Sequence, residues 1–308
     1  KWDWEFREDM VRRAAERSEF MARMDGPVDL FVWPEALVMD RGEAPDLLRY
    51  MTALTQTAGA PLFTGAERHE NGVVYNSGML VGTDGTIAGW YDKIHLAPFG
   101  EYVPFERFLP FLRAVVPGAG LGAGDTPRLL AAGEKQFGPL ICFEVLFAPM
   151  AEWYRREGAD FLVVITNLGW FGASNAIPQE LEIARMRAIE TRLPLVHAAN
   201  TGISGVFDPL GNFTPISALL TESGMYGKLR DESLDPASLV MERRMGVLTV
   251  PMYDAGRLPH GAQAFPWIAL IAVLGVAAWA FLRRSTPPTK GTAPPHPTSP
   301  PPPLDDTA

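Results

Sequence analysis

Short apolar runs alternate with amphipathic stretches through the first 250 residues, and this alternation constrains the fold more than any other feature of the chain. DLFVWPE (29–35), PLFTGAE (61–67), VVYNSGMLVG (73–82), TIAGWYDKIHLAP (86–98), GPLICFEVLF (138–147), ADFLVVITN (159–167), LPLVHAAN (193–200) and ISGVFDPLGN (203–212) have the length and apolar content of buried strands. Residues 8–24, 45–59, 149–158 and 177–192 carry the helical period instead; in the first of them Met10, Val11, Ala14 and Ala15 gather near one face. Strands separated by amphipathic helices indicate an α/β architecture with helices covering sheet layers. Asp84-Gly85 favours a tight turn between two of the strands, so the sheet is not purely parallel. No internal repeat and no domain boundary is evident before about residue 255.

Composition excludes several classes. A net charge of -9 argues against a nucleic-acid surface, which is normally basic. Cys142 is the only cysteine, so no intramolecular disulfide and no cysteine-based zinc site is available. The five histidines are scattered, which speaks against a metal centre; His95 and His197 read as structural or surface residues. Neither a metal nor a cofactor is expected.

Polar and reactive residues recur at the strand ends: Glu35, Lys93, Cys142 with Glu144, and Asn167. Ligand sites of α/β proteins gather at such ends. A lone cysteine in an apolar run is ordinarily a small packing group. To attack a carbonyl it must act as a thiolate, so it needs a base nearby. A glutamate serves when desolvation raises its pKa, and a lysine in an apolar pocket can receive the developing oxyanion. Glu35 in FVWPEA and Lys93 in YDKIHLAP offer both groups.

FVWPEA, YDKIHLAPFGEYVP and ICFEVLF together resemble the three blocks of the nitrilase superfamily. PFGEYVPFERFLPF, the long segment TNLGWFGASNAIPQELEIARMRAIETRLPLVHAANTGISGVFDPLGN and an apolar C-terminal stretch resemble, more closely, its apolipoprotein N-acyltransferase branch. The likeness covers residues 1–283. It implies a nitrilase-like αββα sandwich over residues 1–255, with Glu35 as general base, Lys93 as oxyanion stabiliser and Cys142 as nucleophile. It further implies supporting roles for Glu101 and Glu144, although a solvated loop carboxylate remains the alternative reading of each. Phe143 departs from the family, which commonly has tyrosine after the cysteine. Phe99, Phe143, Trp170 and Phe171 are candidate acyl-chain contacts, and residues 105–122 read either as a mobile arm touching the bilayer or as a core segment.

The reaction so implied is ping-pong acyl transfer from a phospholipid donor to the amine of a diacylglyceryl lipoprotein acceptor. The alternatives are a membrane-anchored amidase using the same triad on a small amide, and an inactive interaction module. Retention of all three triad residues argues against the last. Residues 265–283 are long and apolar enough for one transmembrane helix, with Trp267 and Trp279 near its ends. Residues 284–308 are Pro-rich and expected to be disordered. Arg283, Arg284 and Lys290 follow the span and only Arg257 precedes it closely, which places the tail in the cytoplasm and the catalytic domain on the periplasmic side of a bacterial inner membrane. The chain opens with neither methionine nor signal peptide, and membrane helices are expected to precede Lys1 in the natural protein.

Overall fold

The computed structural model describes residues 4–38, 47–104, 120–171, 174–200 and 202–215. Helix α1 (Trp4–Asp25) leads into the short strand β1 (Phe31–Val32) and then α2 (Leu47–Ala58). Strands β2 (Leu62–Glu70), β3 (Val73–Val81) and β4 (Ile87–Asp92) complete a first sheet in the order β1-β2-β3-β4, parallel only between β1 and β2. Strands β5 (Leu130–Ala132) and β6 (Lys135–Ile141), helix α3 (Ala148–Arg156), β7 (Phe161–Thr166), α4 (Ala176–Thr191), β8 (Leu195–Ala199), β9 (Gly205–Phe207) and β10 (Phe213–Pro215) follow. They form a second sheet, β10-β9-β8-β7-β6-β5, with a parallel centre over β6, β7 and β8.

The two sheets pack face to face, as the edge-on contact of Phe63 with Phe137 (ring centroids 5.1 Å apart) shows. Helices α1 and α2 cover the outer face of the first sheet, where Val11 and Ala15 of α1 join Leu47, Met51 and Leu54 of α2. Helices α3 and α4 cover the second; Tyr154 of α3 packs flat over Gly138, where a Cβ would lie 2.3 Å from its ring. Every residue of β7 is buried, as a strand covered on both faces requires. This is the αββα layering expected from the sequence.

Two local expectations need correction. The run 61–67 does not stop at Glu67: β2 continues to Glu70 and returns through Asn71 and Gly72, both at positive φ, the pair that a two-residue hairpin turn demands. The run 138–147 is not one strand either. It ends at Ile141, and Cys142–Leu146 form a short 3-10 turn, which removes Glu144 from the sheet altogether. Among the described residues no helix is long and apolar enough to cross a membrane. The expected span 265–283, the Pro-rich tail and the stretch 105–119 lie outside the described residues.

Candidate active site

Glu35 follows β1 through Trp33 and Pro34 and turns inward on a loop that lies directly against β2. The approach is close because Gly65 carries no side chain: a Cβ there would sit 2.5 Å from the Glu35 Cα. Gly65 N–H donates to the Pro34 carbonyl at 3.2 Å and its own carbonyl accepts Val38 N–H at 3.0 Å. The Glu35 carboxylate is buried, and both its oxygens are occupied. Oε1 accepts Asn76 Nδ2 at 2.8 Å and Oε2 accepts the backbone N–H of Asn167 at 2.7 Å.

Lys93 is the first residue beyond β4, and its ammonium is buried with only 1% of the residue exposed. Nζ lies 3.0 Å from Glu101 and 3.4 Å from Glu35 Oε1. Glu101 is held in turn by Ala97 N–H at 2.7 Å and by Asn76 Nδ2 at 2.6 Å. Asn76 thus spans the two carboxylates that flank the lysine. It escaped the sequence reading, although an amide in the apolar strand VVYNSGMLV was a visible anomaly.

Cys142 stands where β6 breaks, at φ 49°, in the left-handed region that a residue with a Cβ enters at a cost of about 1–3 kcal/mol. The strain is held by Glu144. Its fully buried carboxylate accepts Ile141 N–H at 2.8 Å, Ile94 N–H at 2.7 Å, His95 N–H at 3.1 Å and the Tyr91 hydroxyl at 2.8 Å. Glu144 therefore ties the cysteine turn to the segment just past Lys93, and its own contacts are with backbone and tyrosine.

Burial sets the ionisation of the site. It raises the Glu35 carboxyl, against the opposing pull of Lys93 and Asn76. Burial disfavours the Lys93 ammonium as well, yet Glu35 and Glu101 offset it and keep the lysine charged. The Cys142 thiol is pushed far up, first by burial and then by Glu35, with Lys93 and the Thr166 hydroxyl opposing. Cys142 thus rests as a neutral thiol beside a raised carboxylate and a fixed cation. Chemically, such an arrangement can provide a nucleophile, a base to take its proton, and a positive group for an oxyanion.

The remaining candidates are dispersed. Phe99 is 61% exposed at φ 60° on the loop between Lys93 and Glu101, and Phe171 is 54% exposed beyond Asn167 in the short turn that also contains Trp170. Phe143 is half-buried and meets Phe147 edge-on, while Phe147 stacks on His95 at 3.9 Å. His197 is buried on β8. Among the described residues no group of His, Cys, Asp and Glu is placed to hold a metal ion. A groove of about 920 Å³ opens elsewhere, along Pro27–Trp33 and the strand ends at Ala132 and Val196, and contains none of Glu35, Lys93 and Cys142.

Comparison with known proteins bears on this geometry. The carbon-nitrogen hydrolase family matches residues 2–231. An apolipoprotein N-acyltransferase of Geobacter metallireducens is 37% identical over 239 residues, covering 75% of this chain and 45% of that protein. One of Agrobacterium fabrum is 41% identical over 195 residues, covering 59% and 36% respectively. The chain thus spans less than half the length of these curated relatives. An amidase of Nesterenkonia sp. shares the fold with a TM-score of 0.52 at 20% identity, covering 70% of this chain and 82% of the amidase.

Proposed function

The chain belongs to the carbon-nitrogen hydrolase family, and from that premise we propose that it is the catalytic portion of an apolipoprotein N-acyltransferase. The observation that carries this reading is the meeting of the buried Glu35 and Lys93 beside the partly buried Cys142 in a chain whose relatives bear that name. In the first half-reaction Cys142 Sγ attacks the ester carbonyl of a phospholipid acyl chain while its proton passes to Glu35. Lys93 receives the oxyanion. Collapse breaks the ester C–O bond, the departing lysophospholipid oxygen takes the proton from Glu35, and a thioester remains on Cys142. In the second, the α-amine of a diacylglyceryl-cysteine lipoprotein attacks the thioester and gives a proton to Glu35. The C–S bond then breaks, the thiolate recovers that proton, and an amide leaves.

Glu101 and Asn76 keep Lys93 from closing fully onto Glu35, because each supplies the other side of the lysine and of the base with a partner. Water must stay away from the thioester until the amine arrives, and the exposed Phe99 and Phe171 are the surface proposed to meet lipid. Residues 265–283 are proposed as the anchor, with Arg283 and Arg284 on the cytoplasmic side and the site on the periplasmic side of the inner membrane.

The test uses the full-length gene product in detergent with phospholipid. A hydroxylamine-sensitive acyl adduct on Cys142, passed on to a diacylglyceryl-cysteine peptide, is the expected result. Release of free fatty acid at a rate indifferent to the peptide would make the protein a hydrolase of the same family. An adduct that persists in Cys142→Ala would remove Cys142 from the role.

A further inference from the structure

The base and the nucleophile of the proposed reaction hang from different sheets. Glu35 follows β1, and two of its partners, Asn76 of β3 and Lys93 just beyond β4, also come from the first sheet. Cys142 follows β6, in the parallel part of the second sheet. Among the described residues, one hydrogen bond brings Glu35 a partner from that second sheet: Oε2 accepts the backbone N–H of Asn167 at 2.7 Å. Asn167 directly follows β7, which pairs with β6 so that Ile165 stands opposite Ile141, the residue before Cys142. This bond therefore ties Glu35 to the strand beside the one that carries Cys142.

Asn167 is anchored on both sides. Before it, Thr166 is fully buried; its carbonyl accepts Asn200 N–H at 2.9 Å and its Oγ1 donates to Glu180 Oε1 of α4 at 2.8 Å. The other Glu180 oxygen faces His197 Nε2 of β8 at 3.6 Å, so the end of β7 is tied both to α4 and to its neighbouring strand. After it, Asn167 Oδ1 accepts Gly169 N–H at 3.1 Å. A side-chain oxygen bonded to the N–H two residues on closes an Asx-turn, which asparagine and aspartate make well and serine more weakly. The turn opens the short stretch Leu168–Phe171, in which Leu168 is buried in the core and Phe171 is exposed. A peptide N–H that has left its ladder points where the flanking torsions send it, and these two anchors fix those torsions.

We propose that Asn167 is the positioning residue of the base: its backbone N–H sets Glu35 against the second sheet, and its side chain fixes that N–H by closing the turn that leads to Phe171. The proposal rests on the reading of Glu35 as general base. The charged and titratable groups facing Glu35 are Lys93 from the end of β4, Glu101 from the loop beyond it, and the Cys142 thiol from the turn after β6. Asn76 and Asn167 donate to the carboxylate and favour its ionised form, against burial. A loosened Asn167 N–H leaves the base harder to ionise, and the base works only when ionised. The base and the exposed turn thus share one support.

The experiment uses the full-length protein in detergent and a p-nitrophenyl ester of a medium-chain fatty acid, from which p-nitrophenol leaves as the Cys142 thioester forms. The rate of that burst is followed from about pH 4 to about pH 9, a span that holds the ordinary carboxyl and thiol ranges. Asn167→Ala keeps the backbone N–H and removes the oxygen that closes the turn. Its acid limb should lie roughly half to one pH unit above that of wild type, the equivalent of one hydrogen bond. Asn167→Ser, which can still close the turn weakly, should fall between the two. An alanine limb that coincides with wild type overturns the proposal, and so does a serine limb as high as that of alanine. A uniform fall of the whole profile without a shift reports general loosening and overturns it as well. Should Asn167→Ala not fold, Asn167→Ser decides, and a limb identical to wild type then overturns the proposal. A wild type that shows the burst but passes no acyl group to a diacylglyceryl-cysteine peptide would count against acyl transfer, while the limb still decides the role of Asn167. A wild type without a burst removes the base and its positioning residue together.

Discussion

Glu144 accepts the backbone N–H of Ile94 at 2.7 Å, so the turn that carries Cys142 and the strand end that carries Lys93 are joined through one buried carboxylate. The same side chain accepts Ile141 N–H immediately before the cysteine. Cys142 and Lys93 therefore keep their spacing through Glu144, although Glu144 contacts neither side chain in its own hydrogen bonds.

Glu144→Gln should consequently act on the scaffold. An amide presents one oxygen and one NH2, and the NH2 must face backbone N–H groups that now have an acceptor. The cost of leaving a buried donor unpaired is about 1–3 kcal/mol. Denaturant unfolding should show a lower midpoint, with acylation reduced in parallel. A midpoint equal to wild type would mean that the turn stands without it.

Glu35→Gln should abolish acylation of the enzyme itself, since a glutamine cannot take the thiol proton. A positioned base is worth on the order of 100- to 10,000-fold. Single-turnover thioester formation within a few-fold of wild type would point to another base. Lys93→Met should slow the same step by roughly 100- to 1,000-fold through loss of oxyanion stabilisation, with circular dichroism unchanged.

The acid limb of kcat/KM should lie above the ordinary glutamate range, because burial raises Glu35 and a base works only when ionised. Activity is present above the raised pKa and is lost as pH falls through it. Asn76 donates to Glu35 Oε1 and favours the ionised form, so Asn76→Ala should move the limb to still higher pH. A limb that moves down would show that Asn76 serves Glu101 and Lys93 alone.

Gly65→Ala tests how the base is placed. A Cβ at 2.5 Å from both Glu35 Cα and Ala36 N collides with backbone, which cannot swing aside as a side chain would. Overpacking of this kind costs about 1–3 kcal/mol. We expect a lower melting temperature and slower acylation at unchanged lysophospholipid release per thioester formed. Wild-type stability and rate in Gly65→Ala would show that the loop has room.

Much of this molecule can be read from residue order alone. Apolar runs of strand length and helical periods between them dictate layered α/β structure, because each element has one face to bury and the period says which. The triad residues are legible for a related reason: an ionisable group at the end of an apolar run is costly and needs a use. The charge pattern around 265–283 likewise sets an expectation about topology without any coordinates.

Other features depend on tertiary structure. The break at Cys142 cuts short the ten-residue strand-like run 138–147, and the left-handed cysteine is accompanied by Glu144, whose carboxylate collects N–H groups from Ile141 and from the distant Ile94. Asn76 acquires its place from strand register, which sets it between Glu35 and Glu101, partners 41 and 25 residues away. Thr166, Glu180 and His197 belong to three elements, and each alone reads as ordinary packing or surface. Local periodicity reports which face of an element is buried; which two buried polar atoms meet is decided by how the elements pack, and that information is not local.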